Sequence, residues 1–286
     1  MRLEDMRRSD NVEDLRGLGV GRTGAGVGIG TIVLVIAGYF LGVSPGTMLS
    51  LIGAGDAVTQ NLAPAAGPAA TGTPKDPQGD FAAAVLGETE DVWGRYFAAS
   101  GQKYVPPTMV LFNGQVDSAC GSTSAAAGPF YCPGDQKLYI DLDFFNQLAT
   151  EFGAPGEFAR AYVIAHEVGH HVQNLLGLTD KAERLESGLD EVGAKHVSVE
   201  VELQADCFAG VWAMLDQRVI EPGEVQQALQ AAAAVGDDTL QRRMQGRVVP
   251  ETFTHGTAEQ RQRWFERGFQ SGRIERCDTF SAGSQL

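Results

Sequence analysis

Positive charge is in short supply in this chain. Its 22 Lys and Arg stand against 36 Asp and Glu, a net charge of −14 over 286 residues. Binding a phosphate backbone needs a basic surface, so no nucleic-acid partner is expected. The arginines that cluster late in the chain, from Arg242 and Arg243 to Arg273 and Arg276, read as a solvated helix face. Cysteine is equally sparse. Cys120, Cys132, Cys207 and Cys277 form no C-x-x-C pair, which excludes a zinc ribbon or a thioredoxin-like redox site. No internal repeat is apparent. Of only five histidines, three fall within six residues, His166, His170 and His171.

Long apolar runs are also rare, and the one that exists decides the expected topology. Residues 24–43 carry no charge and centre on Ile32-Val33-Leu34-Val35-Ile36. At 1.5 Å per helical residue this stretch can cross a hydrocarbon core of about 30 Å. It is too long for a signal-peptide core and no cleavage site follows it. Arg2, Arg7, Arg8, Arg16 and Arg22 precede it and no basic residue follows until Lys75. The positive-inside rule then predicts one transmembrane helix at 24–43 behind a solvated cytoplasmic tail, 1–23. The rest would lie outside the cytoplasmic membrane, periplasmic or at the cell surface. Residues 44–79, rich in Gly, Ala and Pro, read as a flexible linker. A folded domain is expected over 80–280, with a short tail at 281–286.

Within that domain Asp80 is the expected cap of a helix over Phe81–Ala99. Strands are expected at Thr108–Phe112, from Val116 towards Cys120, and at Lys137–Leu142; the last could be an edge strand that pairs with a peptide, or a core strand. Helices follow: Phe144–Phe152, Glu157–Leu176, 179–194, Ser198–Arg218, Pro222–Val235, a short one capped by Asp237-Asp238, and one begun by the capping box Thr257-Ala258-Glu259-Gln260 and ending near Ser271. A few strands followed mostly by helices indicate an α+β fold with a small sheet.

The chemistry concentrates in His166-Glu167-Val168-Gly169-His170-His171. Residues four apart on a helix lie on one face, so His166 and His170 can hold one metal ion while Glu167 reaches a water in its open position. His171 points about 100° away from His170 and is expected to be structural. A catalytic zinc needs a third protein ligand, and Glu202 on a second long helix supplies it. Asp206, one turn later, can accept the ring N–H of His166 and fix its tautomer. Tyr162, one turn before His166, reads as a packing residue. Leu176, where a metzincin has its third histidine, excludes that subclass.

The motifs His166-Glu167-Val168-Gly169-His170-His171 and Glu202-Leu203-Gln204-Ala205-Asp206-Cys207 resemble gluzincin metallopeptidases. More narrowly, they resemble the bacterial putative neutral zinc metallopeptidase family, with Gly128 to Pro133, Gly153 to Gly156 and Thr254 to Thr257 in agreement. The resemblance implies a zincin-like fold behind one membrane anchor and one Zn2+. It also suggests a later histidine or tyrosine as oxyanion donor, for which His255 is the candidate; a capping or packing role is the alternative. Of three possible cysteine pairings, Cys120–Cys132 with Cys207–Cys277 is preferred, the second pinning the last helix near the metal helices. The leading expectation is a membrane-tethered zinc peptidase that cuts protein or peptide substrates with Glu167 as general base. The alternatives are a zinc amidohydrolase of cell-wall peptides and a non-catalytic interaction domain with a structural metal.

Overall fold

The computed structural model describes residues 1–16 and 70–281. The expected transmembrane segment, 24–43, lies outside the described residues, as do most of the linker and residues 282–286. Among the described residues no helix is long and apolar enough to cross a membrane.

Strands β1 (Val12–Asp14), β2 (Ala70–Thr71), β3 (Thr108–Phe112), β6 (Phe130–Cys132) and β7 (Lys137–Asp141) form one sheet in the order β2-β1-β3-β7-β6. Strand β3 runs parallel to β1 and β7, while β2 and β6 are antiparallel outer strands. Strands β4 (Gln115–Ser118) and β5 (Gly121–Ser124) make a separate hairpin. Alternation in β3 and β7 divides the apolar side chains between two faces. Met109, Leu111, Leu138 and Ile140 join the main core beneath the helices. Val110, Phe112 and Tyr139 pack with Val116 of the hairpin.

Helices α1 (Pro77–Ala99), α2 (Asp143–Thr150), α3 (Glu157–Leu175), α4 (Leu178–Glu186), α5 (Glu191–Leu215), α6 (Val225–Ala234), α7 (Asp237–Gln245) and α8 (Ala258–Ser271) complete the fold. It is α+β and mostly helical, as expected. Phe158, Trp212, Phe208 and Phe265, all buried, fill the space between α3, α5 and α8. Both disulfides pair as expected, Cys120–Cys132 and Cys207–Cys277. The first ties the tip of the β4–β5 hairpin to β6; the second ties α5 to the segment that follows α8.

Several expectations need correction. Helix α1 is capped by Asp76, whose side chain accepts from the Gly79 N–H, with Pro77 in the first turn where its missing N–H is harmless. Asp80 instead pairs with Arg8. Helix α5 begins seven residues before Ser198 and is capped by Asp190. Asp237 and Asp238 accept from backbone N–H groups of the 254–258 segment rather than from their own helix. Of the two readings of Lys137–Leu142 the core strand holds: β7 is interior, and β6 occupies the side where a peptide would have paired.

The largest correction concerns the N-terminus. Residues 1–16 are part of the domain, not a solvated tail. Val12 is buried and β1 pairs with β3 over Val12↔Met109 to Asp14↔Leu111. Arg8 makes a two-pronged contact with Asp80 at 2.9 and 2.6 Å, and Arg16 bridges Asp14 and Asp76 at 2.6 Å each. Glu90, buried in α1, accepts from Arg7, Ser9 and Asn11. A Cβ on Gly87 would stand 2.4 Å from the Arg7 carbonyl oxygen, so only glycine lets the segment lie this close to α1. Asp14 pairs with Ala70, which brings both ends of the undescribed stretch together at one side of the sheet.

Deleting residues 1–14 uncovers the β3 edge and leaves Glu90 buried without partners. Unfolding in urea is expected to show a loss of about 3 kcal/mol or more. An unchanged midpoint and slope would return the segment to the status of a tail.

Candidate metal centre and its supporting shell

The site lies where α3 and α5 cross. Gly169, between the two candidate histidine ligands, sits against Ala205; a Cβ there would lie 2.9 Å from the Ala205 carbonyl oxygen. The small residue lets the helices approach until side chains from both meet. His166, His170 and Glu202 each offer a ligand atom, all within 4.8 Å of one another. His166 Nε2 stands 3.1 Å from one Glu202 oxygen and His170 Nε2 stands 3.4 Å from the other. Two imidazole nitrogens and a carboxylate converging on one point match the protein donor set of a catalytic zinc. The residues present fit that ion.

The outer nitrogens are occupied. His166 Nδ1 lies 2.8 Å from Asp206 Oδ1, and His170 Nδ1 lies 2.8 Å from Gln173 Oε1. Each ring therefore turns its Nδ1 outward to a fixed acceptor and its Nε2 inward to Glu202, the nitrogen that would bind a metal once it carries no hydrogen. Asp206 is fully buried and heavily engaged. Arg261 of α8 donates to both its oxygens, at 2.8 and 3.0 Å, and the Tyr162 hydroxyl donates to it at 2.5 Å. Tyr162 also accepts from Arg261 at 3.2 Å.

The charges follow from this crowding. Burial opposes a charge on His166, but Asp206 and then Glu202 outweigh it, and in the metal-free chain its pKa is pushed up to about 10. Burial would raise Glu202 and Asp206; His170 and His166 hold the first well below the usual carboxylate range, and Arg261 and His166 lower the second. Glu167 behaves oppositely: burial raises its pKa, and the nearby histidines only partly compensate. His171 is buried and lowered to about 4, chiefly by desolvation. Its Nε2–H donates to the Val105 carbonyl at 2.7 Å and its Nδ1 accepts from Tyr131 of β6 at 3.0 Å, the structural role expected of it.

His255 stands on the loop between α7 and α8. Its ring nitrogen Nδ1 is 3.2 Å from Asp237 Oδ1, and Asp237 Oδ2 accepts the backbone N–H of Thr254, His255 and Gly256 at 2.8, 2.6 and 3.1 Å. Desolvation disfavours charge on the His255 ring, but Asp237 and Glu202 together raise its pKa, so the imidazole is within electrostatic reach of the candidate ligands.

This geometry agrees with the family comparison. The family model described as "Putative neutral zinc metallopeptidase" matches residues 1–280. The chain belongs to this family. The match includes the N-terminal segment that packs on the domain. Among relatives, the uncharacterized protein YpfJ of Escherichia coli K12 is 43% identical over 98% of this chain and 99% of its own. The uncharacterized protein Rv2575 of Mycobacterium tuberculosis H37Rv is 50% identical over 63% of this chain and 64% of its own. No solved structure matches the chain.

Sequence reasoning missed Arg261 and Gln173, read Tyr162 as packing only, and read Asp237 as a helix cap. Arg261 had a readable signal: it shares the buried stripe of α8 with Trp264, Phe265 and Gly268, at i, i+3, i+4 and i+7. A charge on an apolar stripe calls for a buried partner. Gln173 and Tyr162 share the metal-facing side of α3 with His166 and His170. Asp237 acts through loop N–H groups, which leave no pattern in sequence.

Two pH trends of opposite sign follow. His166 has a folded pKa of about 10 against an ordinary 6.5. Its contribution to the stability of the metal-free chain is complete below about pH 6.5 and is lost as pH rises through about 10. Zinc must displace that proton, so zinc affinity is expected to tighten as pH rises from about 6 to 8, with about one proton released per ion. Denaturant unfolding in chelator and zinc titration in two buffers check both; parallel trends would refute the assignment.

Proposed function

We propose that the chain is a zinc-dependent peptidase with Glu167 as its general base. The observation that carries the reading is the convergence of His166, His170 and Glu202 beside a buried carboxyl whose pKa is raised. A structural metal site has no use for such a group. Zinc, when bound, would acidify a water and polarise the scissile carbonyl. Glu167 takes the water proton and carries it to the leaving amine, a task suited to a carboxyl with a pKa shifted towards neutrality. Arg261, Tyr162 and Asp206 hold the His166 ring still. His255, anchored by Asp237, donates to the oxygen that gains negative charge.

The substrate class is peptide or protein, and the sheet suggests how it is held. Strand β6 is outermost and antiparallel to β7, and Tyr131 fastens it to α3 through His171 and Asn174, each at 3.0 Å. An extended peptide can add to such an edge by main-chain hydrogen bonds.

For location, the two disulfides favour an oxidising compartment outside the cytoplasm. Strand β1 argues that the N-terminus shares that compartment, because a single crossing between residues 16 and 70 would separate β1 from the β3 strand it pairs with. This departs from the N-inside topology that the arginine distribution suggested. Membrane contact through residues 24–43 would then leave both flanks on one side.

Glu167→Gln is expected to keep zinc and lose about 10²–10⁴ in kcat/KM on an unfolded protein substrate. His255→Gln should lose about 10²–10³, mainly in kcat. Full activity in Glu167→Gln would remove the general-base role. Peptide tags at the two termini should show the same protease accessibility in intact cells; opposite accessibility would restore a single crossing.

A further inference from the structure

We infer that Gln173 and Gln204 are positioning residues for His170, forming a one-way hydrogen-bond relay that runs from its ring to the backbone carbonyl of Cys277. The inference deepens the zinc-site reading and rests on it.

Both amides are almost fully buried, at 2% and 3% exposure. His170 Nδ1 lies 2.8 Å from Gln173 Oε1. Gln173 Nε2 donates to Gln204 Oε1 at 3.0 Å and to the Val201 carbonyl at 2.8 Å. Gln204 Nε2 donates to the Cys277 carbonyl at 2.9 Å.

The direction of this chain is fixed at its far end. A backbone carbonyl can only accept, so Gln204 must turn its NH2 towards Cys277 and its oxygen towards Gln173. Gln173 meets two acceptors, Val201 and Gln204, and must turn its NH2 to both. Its oxygen is left facing His170, which can satisfy it only with an Nδ1–H. In the neutral ring Nε2, which faces Glu202 at 3.4 Å, is then the nitrogen without a hydrogen and the one that can bind a metal. Flipping either amide would set oxygen against oxygen in a buried space, where unmet polar groups are costly.

The anchor is itself fixed. Cys277 is bonded to Cys207 of α5, one residue beyond Asp206, and Thr279 donates to the Glu200 carbonyl at 2.7 Å. The segment after α8 is thus held along the helix that carries Glu202. The two histidines receive different partners: a carboxylate for His166, a neutral amide for His170. Glu167, Glu202 and Asp206 already place three carboxyl groups here, and an amide orients the second ring without adding another charge.

Zinc affinity of the full chain, measured by competition with a fluorescent chelator on Gln173→Met, Gln204→Met and the double variant, tests the relay. Gln173→Met is expected to weaken zinc binding about ten- to a hundredfold. Gln204→Met should weaken it less, about three- to tenfold, by letting the Gln173 amide turn. The double variant should match Gln173→Met alone, because the two act in series. A folded Gln173→Met within about twofold of wild type overturns the relay, as do multiplying effects in the double variant. If Gln173→Met does not fold, a folded Gln204→Met with wild-type affinity overturns it equally. A wild-type chain that takes up no zinc overturns the site reading, and the relay with it; variants equal to a zinc-binding wild type overturn the relay alone.

Discussion

The site depends on one buried carboxylate. Asp206 has no exposure to solvent and meets donors from two other helices: His166 and Tyr162 of α3 and Arg261 of α8. A lone ionised carboxyl in that position would be prohibitively unstable, and each donor removes part of the penalty. The contact therefore does two things at once. It locks three helices together at the centre of the core, and it fixes the ring that carries the first candidate ligand.

The supporting parts reinforce that centre from different directions. Gly169 brings α3 against α5 closely enough for Glu202 to face both imidazoles. The Cys207–Cys277 bond holds the C-terminal segment beside the same helix. The loop carrying His255 is shaped by Asp237, which gathers three consecutive backbone N–H groups. Strand β6 is fastened to the metal helix through Tyr131 and His171, so the expected substrate edge and the expected ligands share one rigid element. The groups meant for chemistry are thus held by helices and buried hydrogen bonds rather than by free loops, as precise positioning requires.

How much of this the sequence discloses depends on the range of the interaction. His166 and His170, and likewise Glu202 and Asp206, lie one turn apart, so helical periodicity alone assembles them in pairs. The capping box at Thr257 is local and appears as expected. Strand β1 is different: three residues, two of them acidic, paired with strands more than 50 positions away. Nothing in its own composition marks it as a strand, and the arginines around it also precede the apolar stretch at 24–43, which is how the sequence alone reads them. Strand β6 is equally short and depends on β7 for its pairing. Asp190 displaced Ser198 as the start of α5 because a polar helix can run on while its partners are supplied by neighbouring turns. The Gln173–Gln204 chain could not be read at all, since it joins three segments and depends on which way each amide turns.

The central claim is that His166, His170 and Glu202 together hold one zinc ion. X-ray absorption at the zinc edge on the purified, zinc-loaded chain tests it most directly. The account predicts one zinc per chain with two imidazole nitrogens near 2.0 Å, a carboxylate oxygen and a water oxygen, and no sulfur. Sulfur in the first shell, or a single imidazole, would contradict it.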